Sequence, residues 1–227
     1  MRTAFVVLGL SLVLAPVGVS SPAEARCMQM GLAPEILNPD RELAADAALV
    51  VRLVPAPSSR PRTNAFPALT LSRNGTSIPL RLEKLTPSLA RYVPARRPDA
   101  GTWQIAPLGR EVTFGARSAV GLATPRVTSA RSVASTRGRR GSEYTVDAVL
   151  ERPAPRRAVA VFAEHDSGAF GDGNRVGTRT SITIFNWRTR CLMWPEGMAP
   201  PPTDGAARLR FVGGDGQLSR PSNPVAL

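Results

Sequence analysis

The chain has 227 residues, with 29 basic and 17 acidic side chains, one histidine, two cysteines and a formal charge of +12. One histidine and two distant cysteines make a poor zinc ligand set, and aromatic residues at 5% leave little for stacking nucleic-acid bases. Lys84 is the only lysine, an arginine bias that fits GC-rich coding as well as an anionic partner.

Arg2 precedes an apolar run, AFVVLGLSLVLAPVGV at 4–19, built like a secretion signal. The run falls on the short side of the roughly 20 residues a bilayer-spanning helix needs. Ala23 and Ala25 stand in the A-x-A relation, which places cleavage after Ala25 and leaves no transmembrane segment in the mature chain. A lipid-bearing cysteine would follow a small residue, with leucine three before it. Arg26 and Glu24 hold those places before Cys27, which disfavours a lipid anchor. The expected destination is periplasmic or extracellular. In an oxidising compartment Cys27 and Cys191 are expected to form a disulfide. It would close a loop of more than 160 residues, a constraint worth about 5 kcal/mol in the chain-entropy treatment.

The mature length suits two domains, expected at 26–119 and 120–227 after the signal peptide 1–25, with a basic linker-like segment at about 117–142. From Ala33 to Ala48, APEILNPDRELAADAA holds helix formers interrupted by Pro39, which allows at most one short helix. In AALVVRLV, Leu49, Val51 and Leu53 share one face at period two. Asn74-Gly75 then predicts a two-residue type I′ hairpin in which Arg73 pairs Thr76, Leu71 faces Ile78 and Leu69 faces Leu80. Pro79 cannot donate to a ladder, so the second strand is expected at an edge or bulged. LARYV and GTWQIA complete about five strands over 28–110.

From Val112 to Ser142 there is no acidic residue, while Arg117, Arg126, Arg131, Arg137, Arg139 and Arg140 are present. Such a segment attracts polyanions in a salt-dependent way, and these arginines are the candidate polyanion contacts. The segment lacks aromatic residues, which argues against specific nucleic acid. For an exported chain the remaining partners are anionic envelope polysaccharide, lipopolysaccharide or another envelope protein. Oligomeric state is left open.

The second half offers six strand-like runs, PRVTSARSV, EYTVDAVL, RAVAVFA, TSITIFNW, AARLRFVG and NPVAL. ERPAPRR and SARSVASTRGRRGS read as loops. Between the third and fourth runs lies AEHDSGAFGDGNRVG, with the only histidine, His165, near Glu164, Asp166, Asp172 and Asn174. If the preceding strand persists, Glu164 and Asp166 point the same way as Phe162, and His165 the same way as Val159 and Val161. Asp166, Asp172, Asn174 and loop carbonyls are oxygens of the kind calcium takes, although the spacing is not that of the D-x-D-x-D-G loop. This loop is the alternative centre of a metal-binding protein or hydrolase. No serine lies in a G-x-S-x-G turn, so no catalytic residue is singled out. Trp103, Trp187 and Trp194 are core candidates first and sugar platforms second.

ARYVPARRPDAGTWQI resembles the segment of bacterial immunoglobulin-like domains in which a tyrosine-bearing strand, a proline and a G-T-aromatic strand follow one another. ARLRFVGGDGQLSRPSNPVAL resembles the last two strands of fibronectin type III-like domains, joined by D-G-x-x-S-x-P-S. The resemblance implies an all-β chain of two consecutive β-sandwich domains, in a family that often serves as spacer or binding module and lends no catalytic residues. The expected function is therefore a non-enzymatic, envelope-associated binding module without a cofactor.

Overall fold

A computed structural model describes residues 32–38, 42–56, 65–136, 142–171, 173, 176–177, 179–189 and 200–227. The expected signal peptide, Cys27, Cys191, Asp172, Asn174, Arg137, Arg139, Arg140 and Trp194 lie outside them. Among the described residues the chain is all-β, with no helix, and no helix long and apolar enough to cross a membrane.

The first half contributes β1 (Leu32–Ile36), β2 (Glu42–Leu43), β3 (Leu49–Pro55), β4 (Thr70–Arg73), β5 (Thr76–Lys84), β6 (Leu89–Pro94), β7 (Gly101–Ala106) and β8 (Arg110–Phe114). They pair in the order β1-β3-β6-β5-β4-β7-β8-β2. The β4–β5 hairpin has the predicted register, Arg73 with Thr76 and Leu71 with Ile78. Its turn residues Asn74 and Gly75 sit at φ 48° and 76°, the left-handed pair a type I′ turn requires.

Pro79 has a different role from the expected one. β5 lies inside the sheet, pairing with β4 over residues 76–79 and with β6 over residues 80–84. The Leu80 amide donates to Leu69 O at 3.0 Å, so alternation turns the Pro79 nitrogen away from β4. The proline thus stands where the strand changes partners and removes no bond from the β4 ladder. Around this point two arms of the sheet enclose one core, which joins Leu49, Val51, Leu53, Ala90 and Tyr92 to Leu71, Ile78, Trp103, Ile105 and Phe114.

Among the described residues, the helix allowed between Ala33 and Ala48 does not form. Pro34 and Pro39 disfavour the α region at Ala33 and Asn38, and residues 32–36 pair with β3 instead.

The second half contributes β9 (Val127–Thr136), β10 (Ser142–Leu150), β11 (Ala158–His165), β12 (Ser181–Thr189), β13 (Ala206–Gly213) and β14 (Val225–Ala226). These answer the six predicted runs in order. Two sheets result, β12-β10-β9 and β11-β13-β14, and they share a core of Val146, Ala148, Ile184 and Phe185 against Val161, Ala163, Leu209 and Phe211. The stretch after β13 returns alongside it. Ser219 and Ser222 accept the Phe211 and Leu209 amides on their hydroxyls, at 2.9 Å each. The basic segment is not one linker, because its residues 127–136 are a strand paired with β10 along its length.

No described strand of one half pairs with a strand of the other. A third apolar cluster joins the halves, with Leu37, Val50 and Leu89 on one side and Ala160, Phe162 and Val212 on the other. Around it, among the described residues, the hydrogen bonds between the halves run one way. From the first half, Asn38 Nδ2 donates to Gly214 O (2.6 Å), and the Ala44 and Ala48 amides donate to Asp215 Oδ1 and O (2.9 Å each). Thr86 and Ser88 hydroxyls donate to Gly171 O (2.8 and 2.9 Å), and Arg52 and Arg91 reach Gly173 O and Gly216 O (3.4 and 3.3 Å). Each of these donors belongs to the first half and each acceptor to the second. Gly173 (φ +68°) and Gly216 (φ +69°) allow this approach, since a Cβ would stand 2.9 Å from Leu89 Cδ1 at the first and 2.7 Å from the Ala48 carbonyl oxygen at the second.

Candidate binding cleft at the junction of the two halves

The strand pairing redistributes the basic segment's charge. The first three acidic residues after it, Glu143, Asp147 and Glu151, lie on or just beyond β10, and the β9–β10 hairpin brings Asp147 and Glu151 back against arginines. Arg131 stands directly opposite Asp147, whose carboxylate also accepts the Thr183 hydroxyl at 2.6 Å. Arg126 lies 3.9 Å from Glu151 with both side chains largely exposed. A linear reading could not see this match, because the compensating residues begin where the basic run ends.

Arg117 has no such partner. It is exposed, and among the described residues its side chain forms no ion pair. It lines a cleft of about 420 Å³ where the halves meet, together with Glu42, Ser118 and Val120 of the first half and its connection, and Arg157 and Asp215 of the second. Main-chain bonds fix both arginines. The Ala45 amide donates to Arg117 O at 2.7 Å, and the Gly214 amide to Arg157 O at 2.8 Å. Asp46 Oδ1 accepts the Ala119 amide at 2.7 Å, which fastens the chain between the arginine and Val120. Arg97 donates to Ala116 O at 3.1 Å, so a further cation flanks the residue before Arg117.

Sequence reasoning named Arg117 but not Arg157, Glu42 or Asp215. Arg157 sat in a stretch read as loop, and Asp215 in a Gly-Asp-Gly turn. Neither carries a local signal, because the cleft comes from the packing of the halves. Three other arginines are taken up internally: Arg52 pairs with Glu35 at 2.8 Å, Arg210 with Glu164 at 3.0 Å, and Arg91 with Glu83.

The histidine loop is organised differently from the expectation. β11 ends at His165 and a turn follows at 166–167, so Asp166 does not continue the phase of Glu164. A register shift between Ala158 and Ala160 also takes Val159 out of phase with Val161 and His165. Glu164 is held by Arg210. His165 bonds Ser167 Oγ through Nδ1 (2.8 Å) and Asp204 O through Nε2 (3.1 Å). Among the described residues no three His, Cys, Asp or Glu side chains gather to hold a metal ion. Two of the loop's described glycines, Gly171 and Gly173, instead carry carbonyls that seat the second half on the first.

Trp103 is core, 2% exposed, with Nε1 donating to Asp99 O at 2.9 Å and Arg73 5.8 Å from its ring centroid. It offers no open sugar platform. Burial pushes the Tyr92 phenol up to about 12, while its hydroxyl donates to Pro67 O at 2.6 Å. No family model matches this chain, and no curated protein matches it significantly.

Proposed function

We propose that the chain is a non-enzymatic exported module of two β-sandwich domains, divided near Val120, that binds anionic envelope polymer through exposed arginines. Immunoglobulin-like and fibronectin type III-like sandwiches are the architecture this reading adopts for the halves, with Cys27 and Cys191 as its disulfide. The observation that carries it is the pairing state of the arginines. Arg52, Arg91 and Arg210 serve the fold through carboxylate partners, whereas Arg117 and Arg157 remain exposed and without an ion pair among the described residues. Arg126 and Arg131 contribute less, because Glu151 and Asp147 face them.

Retention on purified envelopes or immobilised heparin tests the reading. Binding should fall steeply between low salt and about 0.5 M, where the screening length shrinks to a few ångströms. Retention unchanged over that range would refute it.

A further inference from the structure

We propose that the cleft at the junction is a site for an acidic saccharide, with Arg117 and Arg157 sharing one oxyanion substituent and Glu42 and Asp215 accepting sugar hydroxyls. The proposal rests on the anionic-polymer reading and confines it to one place. The cleft, at about 420 Å³, falls in the range of about 300–1,000 Å³ usual for ligand sites. Guanidinium groups present planar, paired donors that match a carboxylate, phosphate or sulfate, and here two arginines line one concavity with their main chains already fixed. The ligand has the two exposed arginine side chains to order, but not the backbone that carries them.

The two carboxylates decide the ligand class. Asp215 uses Oδ1 on the Ala44 amide, and neither it nor Glu42 is ion-paired to a described arginine. A plain polyanion would be repelled by them, whereas a chain alternating acid groups with hydroxyls satisfies acceptors and cations together. No aromatic side chain lines the cleft, so bases find no stacking surface. A flat lipid surface does not enter a concavity between two halves.

Calorimetric titration of the exported chain at low salt provides the test. The probes are oligogalacturonate as carboxylate, a heparin oligosaccharide as sulfate, neutral maltohexaose, and a single-stranded oligodeoxynucleotide of matched charge. One acidic oligosaccharide should bind per chain and maltohexaose should not. Arg117→Gln and Arg157→Gln should each weaken binding about tenfold or more, the loss of a charge-assisted contact. Arg110→Gln, which removes the same charge from an exposed position on β8, should change it less than about twofold. Val120→Glu, at a position 57% exposed, should weaken binding through charge at the mouth, and all four variants should keep the parent melting temperature.

Equal effects of the Arg110, Arg117 and Arg157 variants, or several equivalent sites per chain, would overturn the cleft and leave the polymer-binding reading standing. Tighter, Arg117-dependent binding of the oligodeoxynucleotide would overturn the saccharide class. No binding of any acidic probe would overturn both readings.

Discussion

Replacing Asn38 by aspartate exchanges one amide nitrogen for oxygen at the point where the halves are fastened. Asn38 is 2% exposed. Its Oδ1 accepts the Val50 amide at 3.1 Å, and its Nδ2 donates to Ala48 O at 3.1 Å and Gly214 O at 2.6 Å. Aspartate keeps the acceptor and turns both donor contacts into oxygen facing oxygen. Two net hydrogen bonds are lost at about 0.5–1.5 kcal/mol each, and the abandoned carbonyls add about 1–3 kcal/mol each unless water reaches them. A loss of about 3 kcal/mol or more is expected at neutral pH, a large share of the roughly 5–15 kcal/mol that holds a typical fold.

The variant also carries a pH signature. Burial and two facing carbonyls raise the folded-state pKa of the new carboxyl above its unfolded value of about 4. The protonated acid restores one donor, so the deficit should be smallest near pH 4 and grow as pH rises through the raised pKa. Denaturant unfolding of parent and Asn38→Asp across that range measures it. A deficit below about 1 kcal/mol at neutral pH, or one independent of pH, would refute the view that Asn38 fastens the junction.

Tyr92 should titrate with a pKa of about 12. Its folded value lies above the unfolded value of about 10, so about 2–3 kcal/mol of stability should be present below pH 10 and lost as pH rises from 10 to 12. Tyrosinate absorbance in a Tyr144→Phe background, which leaves Tyr92 the one tyrosine, follows the group directly. Gly173→Ala should cost about 1–2 kcal/mol for the left-handed backbone and more for displacing Leu89. Gly109→Ala, at φ +61° with nothing within 4 Å of the added carbon, should show the backbone cost alone in thermal melts. Phe162→Ala, deleting a ring 3% exposed between the halves, should cost about 3–5 kcal/mol.

Local chemistry was readable where two or three neighbouring residues decide the outcome. Asn74-Gly75 fixed a hairpin register, and alternating apolar residues marked all six strands of the second half. β1 was missed because Pro34, Glu35 and Leu37 are compatible with a helix start, and only the pairing of Leu32–Ile36 with β3 settles the strand. β8 (REVTF) was missed too, having only Val112 and Phe114 as inward residues. Arg131 looked like a free cation until β10 placed Asp147 across from it. The cleft left least trace, since Arg117 and Arg157 are forty residues apart in the sequence and meet only through the packing of Phe162 and Val212 on Val50 and Leu89.

The one-way hydrogen bonding between the halves has a consequence for symmetry. A two-fold contact requires a surface to complement itself, so that whatever it donates it must also accept. The first half's face offers amides, hydroxyls and guanidinium groups, and the second half's offers main-chain carbonyls and one carboxylate. Set against its own copy, either face would leave these groups without the partners they have at the junction. The groups that fasten the junction are complementary between unlike halves, so halves produced as separate chains should associate with each other.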